Sequence, residues 1–289
     1  MTTSSSFGNL RRRLAPMIRP ILEHFPPVRM FATRLLRMKQ SGFLQRCGME
    51  FVLPSGDFGV TLEAESTGEY EPVTTQLLEK LLEEGMTFVD IGAHVGLFTL
   101  PASNWVSDSG RVVAFEPHPD NYLMLTENIS RNSLGNNIET NQCAVSDGTN
   151  PVQLYTSTFN TGDHQLFHKG GRKTIEVTCT TLDNYFPVGA RVDVIKMDVQ
   201  GAEGAAFRGM LRVLQENDPI QVIWELSPSQ LKDAGTSATE LLQWLEALSF
   251  NFTIVDDTSG NVTKATIEEV LKSCPRDSFV NILCNRNVN

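Results

Sequence analysis

The chain has 289 residues, 40% of them apolar and 20% charged, with a net charge of −10. That balance suits a folded globular chain and argues against a mostly disordered one. No apolar run approaches the roughly 18 residues that a membrane-spanning helix needs. Five cysteines, odd in number and without a CxxC spacing, argue against a disulfide framework or a structural zinc site and fit a reducing cytoplasm.

The charge is unevenly placed. Residues 1–46 hold nine basic residues and one acid, Glu23, a balance of +8, so the rest of the chain stands at −18. An acidic body of this kind is not expected to bind nucleic acid. The arginine triplet at 11–13 has no apolar stretch behind it, so no signal peptide is expected. Prolines at 16, 20, 26 and 27 limit the arm to two short helices. Two readings of residues 10–46 stand open. One is an anchor on a membrane surface or an acidic partner. The other is a helical lid that complements the acidic body.

Next along the chain, residues 49–62 read as a hairpin around Pro54, Ser55, Gly56 and Asp57. Pro72 opens a helix carrying Leu77, Leu78, Leu81 and Leu82, and Gly85 stops it. These elements, residues 47–84, read as a unit ahead of the main domain at 85–289. Within that domain strands and helices alternate. Strands are expected at 87–91, 111–115, 138–145, 192–197, 220–226, 252–255 and 279–284. Helices are expected at 119–131, 203–215 and 238–248, and two β-like stretches, 152–155 and 174–180, flank a Gly/His-rich segment at 160–171. Alternation implies βαβ units and a mostly parallel sheet. Its ligand belongs at the carboxyl ends of the strands. Residues 257–278 carry no clear crossover helix, which permits a reversed last strand.

Four segments carry candidate chemistry. In Phe88–Gly96 an apolar strand enters a turn with Gly92 and Gly96, then a helix. Glycines let a ligand approach the backbone, and a helix N-terminus offers free N–H groups. His94 stands where a dinucleotide fingerprint has glycine, and Asp90 would repel a pyrophosphate. The turn instead suits a ligand carrying both an ammonium and a carboxylate. Glu116, 24 residues after Gly92, ends the next strand, where an acid can accept both ribose hydroxyls. Its alternative role is a helix-capping acid before Pro117. The segment 193–203 brings Lys196 and Asp198 to one sheet edge, with Gln200 and Glu203 following. The plainer reading is a solvated loop with Glu203 in a helix first turn. Glu225 again follows an apolar strand, as a catalytic acid or a partner for Lys196. His164 and His168 fall in the Gly/His-rich segment, which reads as a substrate loop, although a lone loop histidine is more often a surface residue. Asp198 and Glu225 lack a third ligand in the same motif, so no metal is expected.

The sequence resembles the FkbM family of S-adenosylmethionine-dependent methyltransferases. The resemblance rests on Tyr70-Glu71-Pro72, VDIGAHVGLFTL (89–100), FEPHPDN (115–121), Asn128 and Asn132, CAVSD (143–147), TTLDNYF (180–186) and IKMDVQGAE (195–203). These span about residues 50–230. The family commonly has Glu where this chain has Gln200, and residues 1–46 match none of its motifs. The resemblance implies an α/β class I methyltransferase fold: a Rossmann-like, seven-stranded, mostly parallel sheet with a reversed last strand and helices on both faces. It implies S-adenosyl-L-methionine as cofactor and O-methylation of a hydroxyl on a sugar, glycan, lipid or secondary metabolite. Asp90, Gly92, Ala93, His94 and Gly96 match the cofactor turn and Glu116 the ribose acid. Pro117, Asn121, Ser146, Asp147, Glu71 and Asp198 complete the expected cofactor contacts. Asp198 leads the catalytic candidates, with Lys196, Glu203, Glu225 and His164. N-methylation remains an alternative. So does a membrane-surface adaptor without catalysis, against which the intact Asp90, Gly92, Gly96 and Glu116 speak. An NAD-dependent oxidoreductase is disfavoured by His94 and Asp90.

Overall fold

The structure, a computed structural model, describes residues 40–157, 160–167, 170–274 and 278–286, together with residue 34. Both readings of the basic arm fall largely on residues outside these, as does His168.

The first hairpin lies earlier than expected. Strand β1 (Phe43–Arg46) pairs antiparallel with β2 (Met49–Val52) through a two-residue turn, Cys47-Gly48. Both turn residues have positive φ, 50° and 72°, which matches the twist of the flanking strands. Residues 54–57, expected to be the hairpin turn, instead lead into a helix, Val60–Thr67. Asp57 Oδ2 accepts the Thr61 N–H at 2.7 Å, so this turn residue serves the helix start. The open edge of β2 is satisfied by two motif residues on the helix Pro119–Arg131 and its end. Asn128 accepts the Val52 N–H and donates to the Val52 carbonyl, and Asn132 does the same for Glu50. Two asparagines four residues apart therefore act as a strand edge.

From residue 87 the chain runs through β3 (Thr87–Ile91), β4 (Arg111–Phe115) and β5 (Ile138–Asn141). The expected strand 138–145 is split. Residues after Asn141 leave the sheet, and β6 (Ala144–Val145) pairs instead with β9 (Cys179–Thr180). Between these, β7 (Val152–Thr156) and β8 (Lys173–Val177) form an antiparallel arm. Strand β10 (Val194–Met197) returns to the central sheet, followed by β11 (Gln221–Leu226), β12 (Asn251–Asp256), β13 (Asn261–Ala265) and β14 (Val280–Asn285).

The central sheet has eight strands in the order β13-β12-β14-β11-β10-β3-β4-β5. Strands β5, β4, β3, β10 and β11 are parallel, and β14 lies antiparallel between β11 and β12. This is the class I methyltransferase arrangement with its reversed last strand. The expected count of seven is one short, because the polar segment after β12 turns back as the edge strand β13. It then forms the helix Ile267–Ser273, started by a capping box between Thr266 and Glu269.

All residues of β3 and β10 are buried, as central parallel strands covered on both faces require. One apolar cluster joins Leu44, Met49 and Phe51 of the hairpin to Val95, Leu100 and Leu125 of the main sheet layer. The expected helix 203–215 is two, Glu203–Arg208 and Leu211–Glu216. They divide at Gly209, where a Cβ would lie 1.9 Å from the Ser146 carbonyl oxygen. Among the described residues no helix is long and apolar enough to cross a membrane.

Candidate active site

Strand β3 delivers Asp90 to the carboxyl edge of the sheet, fully buried. Its Oδ2 accepts from the Thr99 hydroxyl at 2.6 Å, while Oδ1, equally buried, has no hydrogen-bond partner among the described residues. Burial raises its pKa, against the pull of Lys196 and the Thr99 hydrogen bond. The turn that follows is held to β4: the N–H groups of Gly92 and Ala93 both donate to the Phe115 carbonyl, at 2.9 and 3.0 Å. Gly92, at φ 81°, faces the Asp198 backbone. Gly96 has a packing role, since a Cβ there would lie 2.4 Å from Leu100 Cδ1 and 2.8 Å from Leu125 Cδ1.

Glu116 lies at the end of β4, also buried. Its two oxygens accept the N–H groups of His94 and His118, each at 2.8 Å. Burial pushes its pKa to about 7 despite these hydrogen bonds. The same carboxylate that reads as a ribose acceptor therefore also ties the β3 turn to the β4 turn. The Asn121 side chain also hydrogen-bonds this carboxylate, which keeps room for a ligand hydroxyl.

The other half of the edge is a group of acids around one cation. Lys196 on β10 is 5% exposed and pairs in register with Asp90 on β3. Its Nζ lies 3.9 Å from Asp198 Oδ2 and 4.5 Å from the Phe98 ring centre. Burial alone would lower its pKa. Asp198, Glu71, Asp90 and Glu225 together outweigh burial and raise it, so the ammonium stays charged at neutral pH. Burial raises Glu71 to about 7, though Lys196 opposes it. It also raises Glu225 well above the ordinary carboxylate range, with Asp198 and Glu71 adding to the effect. Glu203 accepts the N–H groups of Val199 and Gly201 with Oε1, at 3.3 and 3.1 Å, and burial pushes it to about 7. Its position is that of a turn-forming acid, set back from the cavity lining.

Residues 160–166 cover the cavity. Thr161 sits against two candidate cofactor residues: its hydroxyl meets His94 Nε2 at 2.9 Å, and its carbonyl accepts from Asn121 Nδ2 at 3.1 Å. The Thr161 N–H donates to Asp57 Oδ1 at 2.7 Å, which anchors the segment on the residues ahead of the main domain. The His164 ring stacks on His118, centres 4.1 Å apart. Burial, then the nearby His118 and His94, lower His164 to about 2, and burial and Lys196 lower His94 to about 3. Both are neutral at physiological pH. His164 Nδ1 accepts the Ser157 N–H, which puts the ring hydrogen on Nε2. His164 is thus a hydrogen-bond donor in this site and lacks the free lone pair that a base needs.

The cavity brings together Gly92, Ala93, His94, Glu116, Pro117, Asn121, His164, Lys196 and Asp198. Glu71 and Glu225 stand behind its Lys196 wall. Ser146 and Asp147, expected near adenine, lie outside the lining; Asp147 faces Arg208 at 2.9 Å, and Cys143, Ala144 and Val145 supply that wall. Sequence reasoning missed Val60, Thr161 and Gly162. Val60 lines the cavity from a region with no chemical motif, and Thr161 and Gly162 line it from the Gly/His-rich segment, where only the histidines carry a chemical signal. Among the described residues no group of three His, Cys, Asp or Glu could hold a metal.

A sequence profile described as the Methyltransferase FkbM domain matches residues 90–252, more than half of the chain. The chain belongs to the FkbM methyltransferase family. Its cofactor is S-adenosyl-L-methionine, and the site fits that cofactor. Glu116 lines the cavity and can accept from a ribose hydroxyl, while Asp90, one residue behind the lining, keeps a buried oxygen without a hydrogen-bond partner among the described residues, which favours positive charge nearby. This FkbM chain is 28% identical over 154 residues to Methyltransferase sdnD of Sordaria araneosa, an alignment covering 42% of the chain and 59% of that protein. Similar solved structures include a SAM-dependent O-methyltransferase from Thermotoga maritima, at 12% identity over 76% of this chain and 67% of that one, with a TM-score of 0.44. Another is TYW2 of M. jannaschii in complex with AdoMet, at 14% identity over 85% and 86%, with a TM-score of 0.41.

Proposed function

We propose that this methyltransferase acts on a hydroxyl oxygen of a small-molecule acceptor, such as a sugar, glycan, lipid or secondary metabolite. The observation that carries the reading is Lys196, held as a cation in the cavity wall 3.9 Å from Asp198. A fixed ammonium favours an acceptor that develops negative charge. A hydroxyl does so as its proton leaves, and a protonated amine entering the same wall would meet like charge.

S-adenosylmethionine supplies an electrophilic methyl group on a sulfonium that leaves as a neutral thioether. The protein's residues do the rest. Asp90, Gly92 and Glu116 hold the cofactor end of the cavity, with Ala93, His94, Pro117 and Asn121 around it. Asp198 takes the acceptor's proton as its oxygen bonds to carbon. Lys196 stabilises the charge on that oxygen. Such alignment of acceptor and donor is worth about 7–11 kcal/mol of barrier. The segment at 160–166 keeps water from the site, and the neutral His164 and His94 avoid repelling a sulfonium.

The test is tritium transfer from labelled S-adenosylmethionine to a panel of polyols, phenols, sterols and primary amines, with the product's methylated atom located by NMR. Transfer to oxygen supports the reading, and transfer confined to amines replaces it with N-methylation. Contact of residues 10–46 with a membrane surface is part of the same proposal, supported by their basic excess. Equal sedimentation with anionic liposomes after deletion of that arm would exclude it. A cytoplasmic location is supported by five free cysteines.

A further inference from the structure

Gln200 occupies the turn that leaves β10, in the left-handed region at φ 52°. Its Oε1 accepts from Gln230 Nε2 at 3.1 Å, and an amide nitrogen can only donate. The Asp198 carboxylate on the other side, which can only accept, fixes which way the Gln200 amide faces. Its own nitrogen turns to the opposite side, donating to Asp198 Oδ1 at 2.7 Å and Glu225 Oε1 at 3.1 Å. The backbone is pinned too: a Cβ on the neighbouring Gly201 would lie 2.9 Å from the Gln230 carbonyl oxygen.

Asp198 and Glu225 follow paired positions on neighbouring strands, Met197 and Trp224. The charge of Asp198 is one of the causes, after burial, that hold Glu225 above the carboxylate range, so the two acids oppose each other's ionisation. The Gln200 amide has two N–H groups and gives one to each acid. Asp198 Oδ1 is thereby engaged, and Oδ2 is left toward Lys196.

We propose that Gln200 is a positioning residue: its amide clasps Asp198 and Glu225 so that Asp198 presents its second oxygen to Lys196 and the acceptor. The proposal rests on the methyl-transfer reading above, in which Asp198 is the proton acceptor. In that step the acceptor's O–H bond breaks toward Asp198, the oxygen–carbon bond forms, and the carbon–sulfur pair stays on sulfur. Gln200 neither gives nor takes a proton. Its part is to neutralise the repulsion that would otherwise turn Asp198 aside.

Two near-isosteric variants separate this role from packing. Gln200→Glu puts a third acid in contact with the first two, and Gln200→Met keeps the length but removes the donor. The charged groups facing the cluster are Lys196 from β10, Asp90 from β3, Glu71 from the start of the helix Pro72–Leu81, and Glu203 from the helix Glu203–Arg208. Removing the donor favours the protonated form of the acids in the folded state. The variants then hold protons that the unfolded chain has lost, and their stability falls as pH rises. The gap in thermal midpoint between wild type and each variant should widen between pH 5.5 and 8, by about 3 °C or more for Gln200→Glu. S-adenosylmethionine affinity, read by calorimetry, should stay within about threefold. In Gln200→Met, which has no donor at all, tritium transfer to the best acceptor in the panel should fall by about tenfold or more at unchanged KM for the cofactor. A gap constant across that range would overturn the clasp, because loss of packing alone does not titrate. Absence of cofactor binding by folded wild type would instead overturn the methyl-transfer reading, and the pH-dependent gap would still decide the clasp.

Discussion

Gly92 and Asp198 meet backbone to backbone: a Cβ on Gly92 would lie 2.0 Å from the Asp198 carbonyl oxygen. This contact sets the turn after β3 directly against the end of β10, the two segments proposed to hold the cofactor and the proton acceptor. Gly92→Ala should therefore cost stability twice, once through the overlap and once through φ 81°, which an L-residue adopts at a cost of about 1–2 kcal/mol. The expected outcome is a lower thermal midpoint together with loss of S-adenosylmethionine binding in calorimetry. A variant that binds like wild type would show that the contact is dispensable.

Cofactor binding should depend on pH. In the free protein burial raises Glu71 and Glu116 to about 7. A ligand of net positive charge with hydroxyl donors favours their ionised forms, so binding releases protons. Affinity should rise between pH 6 and 7.5, by about tenfold per unit if one full proton is released. Calorimetry in buffers of different ionisation enthalpy reads the protons directly, and equal heats in both buffers would count against this assignment.

Much of the fold was legible because it is written locally. Buried strands such as Phe88–Ile91 and the turn after them announce themselves by apolar runs and glycines, and Glu116 and Asp198 follow such strands. What escaped depends on partners far along the chain. The helix Pro72–Leu81 is capped by Asp257, which accepts the Val73 N–H at 2.7 Å across 184 residues. Glu71, at φ 42° in the N-cap position, makes no side-chain capping bond, and its Oε2 instead accepts from Asn281 of β14 at 3.1 Å, behind the Lys196 wall. Thr161 over the cofactor turn and the edge strand β13 are likewise set by tertiary contacts that no local pattern encodes.

That long-range cap gives a third prediction. Asp257→Ala removes the acceptor of two backbone N–H groups and of the Thr74 hydroxyl. A loss of about 1–2 kcal/mol is expected in urea unfolding. A change within about 0.3 kcal/mol would mean that water replaces the carboxylate.

His164 should not behave as the base. With Nδ1 engaged by the Ser157 N–H and the ring lowered to about 2, it offers no lone pair to an acceptor near neutral pH. His164→Asn retains an acceptor near the Nδ1 position. It should keep transfer within about tenfold of wild type and leave the shape of the pH–rate profile unchanged. A loss beyond a hundredfold, with a missing limb near neutrality, would restore His164 as the base.

The most direct test of the account is calorimetric titration of S-adenosylmethionine into wild type, Glu116→Ala and Asp90→Asn. The division of the site predicts saturable binding by wild type and a loss of about tenfold or more in each variant, since each removes a charge-assisted contact of about 1.5–3 kcal/mol. Folded wild type that takes up no cofactor, or variants that bind it as tightly as wild type, would contradict the assignment of the β3 and β4 ends as the cofactor site.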